Sequence, residues 1–252
     1  VAEDNEINRK VIVRQLHLIG LTAHVAIDGL EALKLWRRGG HALMLTDLHM
    51  PEMDGYALAL AIRAEEPAGH RMPIIALTAN ALHDEALRCL AAGMDAYLTK
   101  PVSLLQLRGT IETWLGPDRP AAAQGGETTA PDPQPQLESA AADLSVLNAL
   151  IGDDPGAIAD ILATFRISSK QSCVDIRNGF DALALPLVAD AAHKLKAAAR
   201  AIGAKRLGHA CEALEGLARA GRRAELSALL PTFDHEVEVL DRYLAANTLA
   251  LK

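Results

Sequence analysis

The stretch Leu43-Met-Leu-Thr-Asp47-Leu-His-Met-Pro51-Glu-Met-Asp-Gly55 decides the fold of the first half of the chain. Its first four residues are apolar or favour β structure, as expected of a short buried strand. Pro51 cannot donate a hydrogen bond to a sheet, so the strand must end before it. Asp54-Gly55 then supplies turn chemistry ahead of a predicted helix. Asp47 is therefore expected at the carboxyl end of a strand, where open α/β sheets bind their ligands.

Predicted strands and helices alternate outward from this stretch through the first 115 residues. Apolar periodicity, bounded by Gly, Pro and Ser, predicts strands at 22–26, 74–77 and 96–99, and helices at 7–19, 29–38, 56–65, 84–92 and 103–115. Such alternation predicts a parallel sheet with helices on both faces. Only Val1-Ala2 remains of the strand that should precede the first helix, so we expect the chain to be a fragment cut within that strand.

The composition limits the classes of function. The net charge of −7 argues against broad nucleic-acid binding. No apolar run has the length of a membrane span, and the acidic start of the chain does not resemble a signal peptide. The three cysteines lack paired spacing, which favours a reducing environment. We therefore expect a cytoplasmic location without membrane contact, and any inner-membrane anchor would belong to the parent protein.

Polar side chains follow four of the predicted strands. Glu3-Asp4 follow the first strand, Asp47 the third, Thr78 the fourth and Lys100 the fifth. Because these strand ends meet at one edge of a parallel sheet, the groups are expected to converge. Three carboxylates would repel one another, and a hard cation such as Mg²⁺ relieves that repulsion. A carboxylate that attacks phosphorus gives an acyl phosphate, which the cation, an ammonium and a hydroxyl would stabilise.

Residues 1–116 resemble a bacterial response-regulator receiver domain, which has a flavodoxin-like (βα)5 fold; here its first strand would be truncated. The matching motifs are Glu3-Asp4, the stretch 47–55, Leu77-Thr-Ala-Asn80 and Tyr97-Leu-Thr-Lys-Pro101. The resemblance implies that Asp47 is the phosphoacceptor. It also implies that Mg²⁺ is held by Asp4, Asp47 and the backbone carbonyl of His49, with help from Glu3.

The same resemblance assigns roles to three further residues. Thr78 and Lys100 would contact the phosphoryl group. Tyr97 matches the aromatic residue that rotates inward when Thr78 moves towards that group. The surface around Tyr97 would then shift between two packings.

Residues 117–142 read as a flexible linker. They contain five of the twelve prolines together with Gly125-Gly126 and several threonines, and apolar periodicity disappears. Such a composition is typical of a disordered, partly extended tether between two domains.

The second half contains no strand signal and is predicted to be a helical bundle. Helices are expected at 143–151, 155–178, 185–202 and 205–220, with a last helix that begins at Ala224 or Pro231 and ends at Ala246. In the third of these, apolar residues recur at helical spacing, which leaves His193, Lys196, Ala197 and Arg200 on the opposite, solvent-facing stripe. An imidazole beside two cations is a competent nucleophile near neutral pH.

Residues 143–246 resemble a histidine phosphotransfer (Hpt) domain, with 247–252 as a tail. The resemblance rests on His193-Lys-Leu-Lys-Ala-Ala-Ala-Arg-Ala-Ile-Gly203, with support from residues 147–155 and 211–215. It implies that His193 is a phosphoacceptor assisted by Lys196. The family usually has glycine after that lysine, whereas this chain has Ala197.

Together the two resemblances predict a phosphorelay module from the end of a bacterial hybrid sensor histidine kinase. Asp47 would accept a phosphoryl group from a kinase phosphohistidine and pass it to His193, from which a separate response regulator would receive it. No ATP-binding kinase core is present in these residues, so the module is not expected to phosphorylate itself from ATP. Two alternatives stay open: an inert interaction module, and an aspartyl-phosphate phosphatase. Against the latter, His49 stands where haloacid dehalogenase-like phosphatases carry a second aspartate.

Overall fold

A computed structural model describes residues 1–67, 69–79, 83–116 and 141–250, without the side chains of residues 83, 84 and 248–250. These residues form two compact units, one built mainly from the first 116 residues and one built mainly from residues 141–250. Nearly all of the predicted linker, 117–142, lies outside the described residues. Within the part of the chain that the structure describes, no helix combines the length and apolar character of a membrane span.

The first unit alternates helices and strands as predicted. Its elements are α1 (Glu6–Leu18), α2 (Gly29–Arg37), β1 (Met44–Asp47), α3 (Gly55–Glu65), β2 (Ile74–Thr78), α4 (His83–Ala91), β3 (Ala96–Thr99) and α5 (Leu104–Leu115). The three strands are parallel in the order β1-β2-β3. Every residue of β1 and β2 is buried, because apolar residues cover the sheet on both faces. The flavodoxin-like parallel sheet with flanking helices is therefore confirmed.

The sheet is extended at one edge by single backbone bridges. Ala2 pairs with Thr46 of β1 on one side and with Ala26 on the other, both in the parallel sense. The predicted strand at 22–26 is therefore wrong in extent, since only Ala26 of that segment pairs. The segment makes few backbone contacts with its neighbour: the Ala26 amide donates to the Val1 carbonyl, the Glu3 amide donates to the Ala26 carbonyl, and the Val1 amino group donates to the His24 carbonyl.

The second unit is helical throughout its described residues. Its elements are α6 (Leu144–Ile151), α7 (Pro155–Asp181), α8 (Leu185–Ala201), α9 (Lys205–Arg219) and α10 (Arg223–Ala250). α7, α8, α9 and α10 pack consecutively, and α10 also contacts α7, so the four surround one core. α10 continues through Pro231 and ends four residues beyond the predicted boundary at Ala246. The core includes Leu147, Ile161, Leu162, Phe165, Val188, Leu195, Leu207, Leu214, Phe233 and Leu244.

Side-chain caps begin several of these helices. Ser103 and Gln106 form a reciprocal capping box at α5. The Asp143 carboxylate accepts from Ser145 N at the start of α6, and the Asp154 carboxylate accepts from two backbone N–H groups beside Pro155. Each of these helices therefore begins at a residue whose side chain satisfies free backbone N–H groups.

Candidate functional site

Backbone pairing places three carboxylates together at the carboxyl edge of the sheet. The Asp47 amide at the end of β1 donates to the Ala2 carbonyl at 2.8 Å, which sets Glu3 and Asp4 beside Asp47. One ligand oxygen from each of the three side chains lies within 4.8 Å of the others. The convergence that was predicted from the strand ends is therefore present in the structure.

Lys100 reaches the same cluster from the end of β3. Its Nζ lies 2.6 Å from Glu3 Oε2 and 2.7 Å from Asp47 Oδ2. Burial would lower the pKa of Lys100, but the two carboxylates outweigh burial and raise the pKa above that of an ordinary lysine. Burial raises the pKa of the enclosed Glu3 to about 7, although Lys100 opposes that rise. The ammonium is thus held charged between two carboxylates.

The charge and chemistry of this cluster fit a hard divalent cation. Three carboxylates converge here, two of them in contact with the Lys100 ammonium, and oxygen donors are the ligands that such cations prefer. His49 lies at the rim, where its backbone amide is 3.4 Å from Asp47 Oδ1. The structure therefore offers a candidate metal site made of Glu3, Asp4 and Asp47, and the part of the His49 carbonyl stays a prediction.

Gly55 allows α3 to begin directly against the end of β1. Its amide donates to the Leu48 carbonyl at 3.1 Å, and a Cβ at this position would overlap the Asp47 carbonyl oxygen. Asp54 caps the same helix by accepting from the Ala57 amide at 2.7 Å. This close approach fixes the backbone that carries the Asp47 side chain, so the turn residues of the defining stretch serve the site.

The hydroxyl of Thr78 lies at the end of β2, and its partner was not foreseen. Thr78 Oγ1 donates to Glu85 Oε2 of α4 at 2.9 Å. Thr78 is 2% exposed. Tyr97 on β3 is half-buried and packs beside the apolar core that includes Leu58 and Ile62. The structure places Thr78 at the carboxyl end of β2 and Tyr97 opposite Ala76 within β3, and it adds Glu85 as a partner of Thr78.

In the helical unit, His193 lies on α8 and is oriented by a carboxylate of α9. Its Nδ1 is 3.0 Å from Glu215 Oε1, and its side chain is 18% exposed. Lys196 Nζ donates to the second oxygen of Glu215 at 2.7 Å. Arg219, one turn after Glu215, contacts Oε1 at 2.7 Å. A single carboxylate therefore holds an imidazole, an ammonium and a guanidinium in one cluster.

The predicted solvent-facing position of Lys196 is wrong. Lys196 is 8% exposed, because its ammonium turns towards Glu215, which is itself 6% exposed. Burial would raise the pKa of Glu215, but hydrogen bonds from His193 and Lys196 outweigh burial and lower the pKa to about 2. The expected arrangement of a histidine flanked only by cations is corrected accordingly, since an ionised carboxylate lies between His193 and Lys196.

Sequence reasoning missed Glu85, Glu215 and Arg219. Glu215 was noted only as part of a resembling segment, although an acidic residue at helical spacing from Arg219 could have been paired with it. Its contact with His193 depends on the packing of α8 against α9, which spacing along either helix does not reveal.

Comparison with known proteins identifies both units. Residues 1–112 match the family model of the response regulator receiver domain, and residues 160–243 match that of the Hpt domain. The virulence sensor protein BvgS of Bordetella parapertussis is 31% identical over an alignment of 258 residues, gaps included, which covers 98% of this chain and 20% of that protein. The hybrid signal transduction protein dokA of Dictyostelium discoideum is 48% identical over 118 residues, or 47% of this chain and 7% of that protein.

The receiver half also resembles solved structures. The receiver domain of a sensor histidine kinase from Pseudomonas aeruginosa, crystallised with a magnesium ion in its active-site cleft, is 40% identical. The match covers 46% of this chain and 93% of that one, with a TM-score of 0.43.

This chain spans only a small part of the full-length relatives, a fifth of BvgS and less of dokA. The two family matches identify residues 1–112 as a receiver domain of the response-regulator family and residues 160–243 as an Hpt domain.

Proposed function

We propose that this chain carries two successive phosphoacceptors of a multistep phosphorelay, Asp47 in the receiver domain and His193 in the Hpt domain. The observation that carries the proposal is the pair of contacts from Lys100 to Glu3 and Asp47, which joins an ammonium to the acidic cluster at the sheet edge. An ordinary surface aspartate has no such setting. The Hpt domain in the same chain supplies the next acceptor.

In the first transfer, an Asp47 carboxylate oxygen attacks the phosphorus of a phosphohistidine on an upstream kinase domain. The P–N bond breaks as the P–O bond forms, and the imidazole leaves with the electron pair of the P–N bond. Lys100, 2.7 Å from Asp47, neutralises charge on the transferred group, and the Thr78 hydroxyl binds one of its oxygens. Mg²⁺ held by Glu3, Asp4, Asp47 and the His49 carbonyl would supply further charge neutralisation when bound.

In the second transfer, His193 attacks the phosphorus of the Asp47 acyl phosphate. Glu215 is ionised at neutral pH and can only accept hydrogen bonds, so the bond at His193 Nδ1 requires a proton on that nitrogen. In the neutral ring the lone pair then lies on Nε2, which is the nucleophilic atom. The P–O bond to Asp47 breaks as the P–N bond to Nε2 forms, and the aspartate carboxylate is regenerated.

Lys196 and Arg219 set the charge around this histidine. Both are held by Glu215, and Arg219 is more than half exposed, so its guanidinium can turn towards a phosphoryl group on the ring. The phosphohistidine then donates to an aspartate of a separate response regulator by the same chemistry as the first transfer: the P–N bond breaks as the new P–O bond forms. The free thiols of Cys89, Cys173 and Cys211 are compatible with the cytoplasmic setting that we propose.

Incubation of the full chain with acetyl phosphate and Mg²⁺, followed by intact-mass analysis, tests the first step. Slow incorporation of phosphoryl groups, at most one on each of Asp47 and His193 and lost in Asp47→Asn, is the expected result. Asp54→Asn is the matched control, because Asp54 is an exposed helix cap that asparagine replaces well. Rapid multiple turnover would instead indicate the phosphatase, and absence of label in wild type would indicate an inert interaction module.

A further inference from the structure

The hydrogen bond between Thr78 and Glu85 joins the receiver site to α4. Thr78 Oγ1 donates to Glu85 Oε2 at 2.9 Å, and Thr78 is almost completely buried. Glu85 lies in the first turn of α4 and is half-buried. The bond therefore connects the last residue of β2 to the helix that follows it.

A threonine hydroxyl has a single proton to donate. In the proposed function, Thr78 donates that proton to an oxygen of the phosphoryl group on Asp47. It cannot at the same time donate to Glu85. The phosphoryl group also carries nearly two negative charges, which repel a nearby carboxylate. Occupation of Asp47 must therefore break the Thr78–Glu85 bond.

We propose that Glu85 is a positioning residue that holds Thr78 in the resting arrangement and opposes phosphorylation of Asp47. This inference rests on the proposed function. Glu85 competes with the phosphoryl group for one proton, so the free energy of the Thr78–Glu85 bond is subtracted from the free energy of phosphorylation. When the bond breaks, the first turn of α4 loses its hydrogen bond to β2. Phosphorylation of Asp47 therefore loosens the start of that helix.

Loosening of α4 can be measured through the reactivity of a cysteine that this helix buries. Arg88 stacks over the Tyr56 ring at 4.7 Å, and Cys89 is 2% exposed. Burial raises the pKa of the Cys89 thiol to about 11, so the thiol reacts slowly while α4 is packed. Loosening of the first turn of α4 exposes Cys89 more often and raises its rate of alkylation.

The main experiment measures the affinity of Asp47 for beryllofluoride, a non-covalent analogue of the phosphoryl group, by fluorine NMR of the full chain with Mg²⁺. Glu85→Ala is expected to tighten binding about 3- to 10-fold, from the usual net contribution of one hydrogen bond. In a Thr78→Ala background the same substitution is expected to give a smaller gain, because the competing proton is gone and only the charge repulsion is relieved. Glu112→Ala, an exposed glutamate of α5, is the matched control and is expected to leave affinity unchanged.

Glu85→Gln separates charge from hydrogen bonding, because glutamine still accepts from Thr78. An intermediate gain in affinity is expected. Peptide mapping after alkylation reports on α4 without any ligand, and Cys89 in Glu85→Ala is expected to react faster than in wild type. Unchanged affinity in Glu85→Ala, or an equal gain in the Thr78→Ala background, would overturn the inference while leaving the proposed function standing. Wild-type protein that binds beryllofluoride no better than Asp47→Asn would overturn both.

Discussion

Replacement of Glu215 by alanine is expected to destabilise the Hpt domain by about 3 kcal/mol. The substitution removes the carboxylate between Lys196, His193 and Arg219. Lys196 is 8% exposed, and its ammonium would be left without its counter-ion. Breaking a buried pair in this way costs about 3–5 kcal/mol. The lower end applies because Arg219 and His193 can still turn towards water.

Hydrogen exchange of the full chain, read by mass spectrometry on peptides from α8 and α9, measures this loss without requiring two-state unfolding of both domains. Glu225→Ala is the matched control, because Glu225 pairs with Arg222 at an exposed position. A surface pair of that kind contributes at most about 1 kcal/mol. Equal losses of protection in Glu215→Ala and Glu225→Ala would refute the buried-cluster reasoning.

The same cluster predicts the direction of a pH effect. The pKa of Glu215 is lowered from 4.5 to about 2, so the carboxylate contributes stability that is present above pH 4.5 and lost as the pH falls towards 2. Glu215→Gln removes that titration. The protection of α8 and α9 in wild type should therefore fall more steeply over this acid range than in the Glu215→Gln variant, and parallel profiles would contradict the assignment.

Three further predictions concern other positions. Ala197→Gly should raise the rate of phosphoryl transfer to His193, because it removes a methyl group one turn away on the same helix. Rapid quench measures the rate. An unchanged or slower rate would show that the methyl group does not obstruct the incoming receiver. Gly55→Ala should destabilise the receiver by more than about 2 kcal/mol, because the added methyl overlaps the carbonyl at the end of β1. Gly109→Ala, in open space on α5, should instead stabilise it by about 0.5–1 kcal/mol. Urea unfolding compares the two variants, and similar effects would contradict the close approach at Gly55. Asp95→Ala should lower the stability of β2, measured by hydrogen exchange, by about 3–5 kcal/mol. The reason is that two guanidinium groups and a backbone amide lose a carboxylate that is 1% exposed. A loss below about 1 kcal/mol would show that this network contributes little.

The fold of the receiver was predictable because polar residues and prolines mark the ends of its strands. Asp47 and Thr78 each close a short apolar run, and Pro51 and Pro101 prevent the sheet from continuing. Parallel strands then bring the polar ends to one edge without any knowledge of side-chain packing. For the same reason the cluster of Glu3, Asp47 and Lys100 could be predicted from order along the chain alone.

Contacts between packed helices were not predictable in this way. Lys196 was expected in solvent because it falls on the polar stripe of α8, yet it is buried against Glu215. The stripe gives the direction of a side chain but does not reveal which neighbouring helix covers it. Glu85 was missed for a similar reason, since its contact with Thr78 depends on how α4 returns to the sheet. The strand predicted at 22–26 exceeded the single bridge at Ala26, because pairing needs a partner as well as a favourable pattern.

The most direct test of the relay is to follow a phosphoryl group from Asp47 to His193 after labelling with acetyl phosphate, which donates to aspartate. The two products differ in stability, because phosphohistidine is lost in acid and the acyl phosphate is lost in base. Wild-type chain should accumulate base-stable label that maps to His193, His193→Gln should retain only base-labile label on Asp47, and Asp47→Asn should retain neither. Base-stable label on His193 in the Asp47→Asn variant, or its absence from wild type while Asp47 is labelled, would contradict the account.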